Sequence, residues 1–385
     1  MSVGAAFPPL PLIIKQLWSE HMTVGSAMPP MESIIEQMEH KKAPCGTLSQ
    51  FQDMMAHIEG ELQINASFIV GQRCNFDCPD CFVAMRQEIL ERPVLQPEHY
   101  VELFRVLYDN FCCRMALIEG FEPLAGGHAR KSTYALMDVT KELDCWLTLV
   151  TNASYIDEAF IEHLIDHPRC LVFPSVWGVG ERNTARRKIT SKKVQEKVER
   201  GFKLLAENRA AKIKTIPTTV LFPDDPVDRS GDLYQIFQWL YDMGFRHVMV
   251  DSHRVLEEDG SIKPHPAFGK RLEAIRLGRG VSNLKIDAML AGFHLFLEPE
   301  LLPGEMQSHG SHGKEFASHA LADPNGLFRI LPSGHINRVY EEIFRPLVTT
   351  TAPRIVPGEN FSERAYELFA QMVDQATGAE VVAAE

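Results

Sequence analysis

No cysteine follows Cys170, and only eight occur in 385 residues. A chain this long and this poor in cysteine is not a disulfide scaffold. Scattered reduced thiols point instead to metal binding or catalysis. Cationic residues are also scarce: 39 Lys and Arg stand against 51 Asp and Glu, for a formal net charge of -12. A sequence-independent nucleic-acid binder needs a cationic surface, so this balance excludes a nucleic-acid partner of that kind while leaving room for a local basic pocket. Long apolar runs are missing too. The most apolar start, residues 1–14, is broken by prolines and lacks a charged first region. It is too short to span a bilayer and does not read as a secretory signal. No membrane partner and a cytoplasmic location are therefore expected. No repeat recurs at fixed spacing. What remains is ordinary: 45% hydrophobic and 23% charged residues, enough for one large core with or without a smaller appendage.

Residues 1–61 read as a helical lead-in, with Ile34, Ile35 and Met38 at helical spacing and Pro29 and Pro30 interrupting the approach. From residue 62 short apolar runs alternate with amphipathic stretches. Strands are expected at Ile64–Val70, Met115–Ile118, Trp146–Val150, Leu171–Val176, Ile213–Leu221 and His247–Val250. Helices are expected between them at Glu98–Tyr108, Thr133–Glu142, Asp157–Ile165, Lys193–Asn208 and Gly231–Met243. Strict alternation predicts an α/β fold with a parallel sheet and right-handed crossovers, either open and doubly wound or curled into a barrel. Beyond residue 255 the alternation decays. The expectation there is a helix at Pro264–Leu277, a Gly/Ser/His loop at Gly304–Gly313, a hairpin over Phe328–Val339 turning at Pro332-Ser333-Gly334, and a helix at Ser362–Gln375. No clear linker marks a boundary, so residues 256–385 read as an extension packed against the sheet.

The strongest motif directly follows the first expected strand: Cys74, Cys78 and Cys81 in the spacing C-x3-C-x2-C. In a parallel α/β fold the loops at the strand C-termini hold the active site. Three close thiolates suit a metal. A structural zinc site wants four closed protein ligands. Cys112, Cys113, Cys145 and Cys170 each stand just before an expected strand, at the opposite face, and read as small buried hydrophobes. Only Cys45 or a loop histidine could complete a zinc site. Three thiolates without a fourth suggest a 4Fe–4S cluster with one iron open to a ligand. His309, His312 and His319 lie in the Gly/Ser-rich segment and read as part of a mobile loop, of a kind that can also serve as a substrate lid.

This spacing after a first strand resembles the radical S-adenosylmethionine superfamily, and the resemblance covers residues 62–255. It implies a partial (β/α)6 parallel barrel with the helical lead-in before it and a mixed C-terminal extension over it. It also implies one 4Fe–4S cluster on Cys74, Cys78 and Cys81, whose open iron takes S-adenosylmethionine. Reductive cleavage then yields a 5′-deoxyadenosyl radical that abstracts hydrogen from substrate. Further segments are similar to family elements. Glu119-Gly120-Phe121-Glu122-Pro123 resembles the Gly-Gly-Glu-Pro segment, with Gly120 allowing a tight strand exit and Glu122 facing the cofactor's amine. Thr151-Asn152-Ala153 resembles Thr-Asn-Gly, with Asn152 toward the ribose. Ser175 and the following arginines, with Arg187 preferred by spacing, would engage the methionine carboxylate. Members often carry an aromatic residue just before the third cysteine to flank adenine. Here Asp80 stands there and Phe82 follows the cysteine, so Phe82 is the candidate adenine neighbour.

The hairpin Phe328–Val339 resembles the start of the SPASM-like extension of one branch, with Val339 where a cluster cysteine is expected. Without cysteines beyond Cys170 a second cluster has no ligands. That favours redox-neutral rearrangement, epimerisation, elimination or carbon–carbon bond formation. The substrate implied is a small natural-product precursor or a peptide. The lead-in shows no strand alternation of the kind a leader-binding module needs, which tilts the reading toward the small molecule. An external electron donor such as flavodoxin or ferredoxin is implied as a partner. The sequence names no catalytic side chain. The competing reading is an iron–sulfur or zinc-binding regulator or scaffold without turnover.

Overall fold

The computed structural model describes residues 65–79, 81, 93–111, 113–189, 191–225, 231–256, 262–268, 294–297, 327–339 and 353–382. The lead-in 1–61, Cys45, Asp80, Phe82, Cys112, the segment 304–313 and His309, His312 and His319 lie outside the described residues.

Strands β1 (Asn65–Phe68), β2 (Met115–Ile118), β3 (Trp146–Thr151) and β4 (Cys170–Pro174) pair in that order, all parallel. Strands β5 (Thr218–Leu221) and β6 (His247–Ser252) continue the arc. The join between β4 and β5 is thin. Parallel bridges link Val172 to Thr215 and Ser175 to Thr218, and Val176 N donates to Thr218 O. Pro217 has no N–H to offer a ladder, so the strand expected from Ile213 begins only at Thr218.

A short antiparallel pair follows, β7 (Arg254–Leu256) with β8 (Ile262–Pro264). The helix expected from Pro264 is instead the end of β8 and a single 3-10 turn at Pro266–Phe268, because a residue before proline is pushed toward extended backbone. Residues beyond 268 in that stretch lie outside the described ones. Strand β9 (His294–Leu297) adds in parallel to β6. Strands β10 (Leu327–Ile330) and β11 (Ile336–Val339) form the expected hairpin. It does not simply cover the barrel: β10 pairs in parallel with β1 and becomes part of the sheet. The arc is open, and no closed barrel forms among the described residues.

Helices α1 (Pro97–Phe111), α2 (Gly126–Glu142), α3 (Glu158–Asp166), α4 (Glu181–Arg186), α5 (Lys192–Glu207), α6 (Arg209–Lys212) and α7 (Asp232–Asp242) run between the strands, and α8 (Phe361–Val382) ends the chain. One face of each strand packs under them. Ala66 and Phe68 of β1 sit in one core with Tyr100, Leu103, Phe104 and Leu107 of α1, and each fully buried Phe or Leu is worth about 2 kcal/mol.

Local chemistry sets the ends. Asp157 caps α3 by accepting from Phe160 N at 3.0 Å. Gly244, at φ +88°, closes α7: its N–H reaches Tyr241 O and Phe245 N reaches Leu240 O. The same pattern closes α2, with Asp144 (φ 53°) in place of glycine and Cys145 N donating to Thr140 O. Helix α2 begins two turns before the expected Thr133, at a junction where Ala125 offers no capping side chain to mark it. Cys113, Cys145 and Cys170 are buried at the N-terminal ends of the strands. Burial pushes each thiol up to about 12, so they remain neutral and apolar. No described helix is long and apolar enough to cross a membrane.

Candidate functional site

The loop leaving β1 carries Cys74, Cys78 and Cys81. Cys81 N donates to Cys78 O at 3.3 Å, which folds the second and third cysteines into one turn. Cys74 is exposed as a residue, and the other two are half-buried. Its sulfur nevertheless faces protein on one side, accepting from Phe76 N at 3.4 Å and from Asn152 Nδ2 at 3.5 Å. Loss of solvation pushes the Cys74 thiol up to about 11. The Phe76 N–H opposes that rise, the Glu122 carboxylate adds to it, and Arg187 opposes it. Among the described residues no three His, Cys, Asp or Glu side chains converge as a metal-ion site. The donor set nonetheless has the chemistry of a cluster loop: soft sulfur ligands on one short segment, one of them already receiving two N–H groups.

Gly120 leaves β2 with φ +96°, and a Cβ there would stand 3.0 Å from two carbons of Ile69. The turn swings Glu122 inward, where it is 2% exposed. Its Oε1 accepts from Thr151 Oγ1 at 2.7 Å and Leu124 N at 3.2 Å, and its Oε2 from Asn152 N at 2.7 Å. Burial pushes this carboxyl above its ordinary range, and the three donors pull it back.

Asn152 directly follows β3, but its amide is fully engaged. Nδ2 donates to Asn75 Oδ1 at 2.9 Å and to Cys74 Sγ, while Oδ1 accepts from Ser154 N at 2.9 Å and Ser154 Oγ at 2.6 Å. The ribose contact implied by the resemblance would have to break these bonds. Ala153 stands at φ +67°, a left-handed conformation that explains why glycine suits this position.

Ser175 and Arg187 do meet, through the serine's main chain: Arg187 NH1 donates to Ser175 O at 2.5 Å. The guanidinium lies over the rings of Phe76 (4.5 Å to the centroid) and Trp177 (5.0 Å). Arg187 is buried and makes no ion pair among the described residues, and its Nε is buried without a hydrogen-bond partner there. Arg186 is different. It pairs with Asp225 and with Asp232 (2.8 Å), donates to Trp177 O and covers the Phe222 ring. Neither arginine faces solvent.

Beyond these, the rings of Trp177, Phe222 and His253 follow β4, β5 and β6 and touch edge to face or tilted, with His265 stacked on His253. Asn75, Phe76, Ser154 and Trp177 were not singled out as site residues in the sequence. The available signal was proximity along the chain: each lies within two residues of Cys74, Asn152 or Ser175.

The open parallel arc has the fold of solved radical S-adenosylmethionine enzymes, and in this chain it carries a three-cysteine loop after β1, a buried acid after β2 and a buried arginine after β4. Among solved structures the chain is similar to SuiB of Streptococcus suis, with TM-score 0.55 and 12% identity over 94% of this chain and 78% of that one. SuiB bound to precursor peptide SuiA gives 0.53 and 14% over 94% and 76%. Native anSMEcpe with bound AdoMet and Cp18Cys peptide gives 0.51 and 14% over 79% and 80%. At such identities the likeness is one of fold. No protein-family model and no curated protein matches the sequence.

Proposed function

We propose that this chain is a radical S-adenosylmethionine enzyme whose single 4Fe–4S cluster is held by Cys74, Cys78 and Cys81. The observation that carries the reading is a pair of buried opposite charges beside Cys74. Glu122 is 2% and Arg187 7% exposed; Asn152 bridges the acid to Cys74, the guanidinium lies over the ring of Phe76, and the two make no ion pair together. An amino-acid zwitterion needs an acid for its ammonium and a guanidinium for its carboxylate. Oε2 of Glu122 holds one donor and has room for another, and Nε of Arg187 awaits an acceptor. The methionine end of the cofactor has this chemistry. Arg186 is unavailable for it, since Asp225 and Asp232 neutralise it.

When bound, the cluster and cofactor together supply a 5′-deoxyadenosyl radical for hydrogen abstraction. The chain's own part is placement. Glu122 is held rigid by Thr151, Asn152 and Leu124, Arg187 by Ser175 and two aromatic faces, and the buried setting excludes water. The substrate we assign is a small natural-product precursor or a peptide. The peptide-bound states of SuiB and anSMEcpe support the latter, and the rings of Trp177, Phe222 and His253 offer an apolar wall at the strand ends. An external one-electron donor such as flavodoxin or ferredoxin would reduce the cluster, and a redox-neutral outcome is expected.

The test is anaerobic reconstitution. Brown protein with about four irons per chain and 5′-deoxyadenosine release under reductant is expected. Cys78→Ala should lose both. Colourless protein carrying one zinc would establish the scaffold reading instead.

A further inference from the structure

Three polar side chains beside Cys74 close a ring. Ser154 Oγ donates to Asn152 Oδ1 at 2.6 Å, Asn152 Nδ2 donates to Asn75 Oδ1 at 2.9 Å, and Asn75 Nδ2 donates to Ser154 Oγ at 2.9 Å. Amide oxygen and nitrogen are told apart only by their partners. Here the partner is decisive. Ser154 N is a main-chain donor and lies 2.9 Å from Asn152, so the atom facing it is the oxygen. The amide nitrogen must then face the cysteine loop, with Asn75 presenting its oxygen to it and its own nitrogen to Ser154. One backbone N–H thus fixes the direction of the whole ring. The outcome is an N–H aimed at Cys74 Sγ at 3.5 Å, from a side chain 4% exposed.

We infer that Asn152 is a hydrogen-bond donor to a cluster-ligand sulfur, held in that role by Asn75 and Ser154, and that it raises the cluster's reduction potential. The inference rests on the reading under Proposed function and replaces the ribose contact. A thiolate that accepts an N–H gives less charge to its iron. The reduced, more negative cluster gains most from that withdrawal, so the donor favours reduction. The same residue's main-chain N–H holds Glu122, so one residue positions both the sulfur and the acid.

The measurement is a potentiometric titration followed by electron paramagnetic resonance on the reconstituted full-length chain. Asn152→Asp keeps the shape but presents an acceptor to the sulfur. Its reduced-to-oxidised ratio at fixed potential should fall about tenfold, or about 59 mV for a one-electron couple. Ser154→Ala opens the ring but leaves the main-chain N–H, and should fall by less, about threefold. Both variants within about twofold of the parent, with iron fully bound, would overturn the inference and leave the enzyme reading standing. If Asn152→Asp assembles no cluster, Ser154→Ala decides: a fall supports the assignment and an unchanged ratio refutes it. A parent chain that takes up no iron removes the reading beneath it.

Discussion

Arg186 and Arg187 adjoin in sequence and differ in what surrounds them. A buried guanidinium must be matched by acceptors. Asp225, Asp232 and Trp177 O match Arg186, whereas Arg187 has one main-chain carbonyl and two ring faces. Spacing alone chose Arg187; the neighbours give the physical reason. His167 shows how one residue sets a pH limit. It is almost wholly buried. Its Nδ1 accepts from Arg169 N at 3.1 Å, so the proton sits on Nε2, facing Thr140 Oγ1 at 2.9 Å. Burial, then the cations Lys214 and Lys141, lower its pKa from 6.5 to about 4. As pH falls through that window the unfolded chain takes a proton that the folded chain refuses, so stability falls. Between pH 7 and pH 5 the loss from this residue is about 2 kcal/mol. Urea midpoints measured at the two pH values should separate accordingly, and His167→Gln should narrow the gap. An unchanged gap in the variant means the proton binds elsewhere.

At the scale of elements, α5 positions the Asn152 loop by having no side chain where the two meet. A Cβ on Gly201 would stand 2.1 Å from Ala153 O and 3.3 Å from Ile156 Cβ. The contact is with backbone, which cannot rotate aside. Gly201→Ala is expected to destabilise by about 3 kcal/mol despite the better helix propensity of alanine. It should also lower iron occupancy after reconstitution, because Ala153 is the next residue after Asn152. A thermal midpoint equal to the parent's would show that the helix can shift without cost.

The elements themselves were legible where apolar rhythm and length agree. The strands at Met115–Ile118 and Trp146–Val150, the C-terminal end of α2 and the whole of α3 are found within a residue. The start of α2, the short α4 and the late onset of β5 were not, since no cap, too few residues and a proline respectively hide them. Within the candidate site, Cys74, Glu122, Asn152 and Arg187 were legible as positions, because motif spacing names them. The Asn75–Asn152–Ser154 ring was not. It depends on two loops that sequence separates by 77 residues meeting side by side.

For the whole molecule, a buried ion pair ties the C-terminal extension into the first strands. Arg329 of β10 donates from Nε (3.0 Å) and NH2 (2.6 Å) to Glu119 Oε1, the residue just before Gly120, and Ser67 Oγ of β1 donates to the same oxygen at 2.6 Å. The two charged side chains are 8% and 14% exposed. Around them β10 pairs with β1, and α8 lays Phe369 against Phe111 of α1 and Phe328 of β10. Hairpin and parallel arc should therefore unfold together. Removing one partner of such a pair leaves the other charge buried without its match, so Arg329→Met should cost about 3 kcal/mol, whereas replacing both partners by apolar groups restores packing. The double variant Arg329→Met with Glu119→Leu is thus expected to regain part of what the single variant loses, the buried Ser67 hydroxyl being left without its acceptor. Denaturant midpoints of the parent, the single and the double variants read this directly. A single variant within about 0.5 kcal/mol of the parent would place the pair among the many that contribute nothing measurable. A single transition in every variant, followed both by the tryptophan signal of the parallel arc and by limited proteolysis near residue 353, would show that hairpin and arc are one cooperative unit.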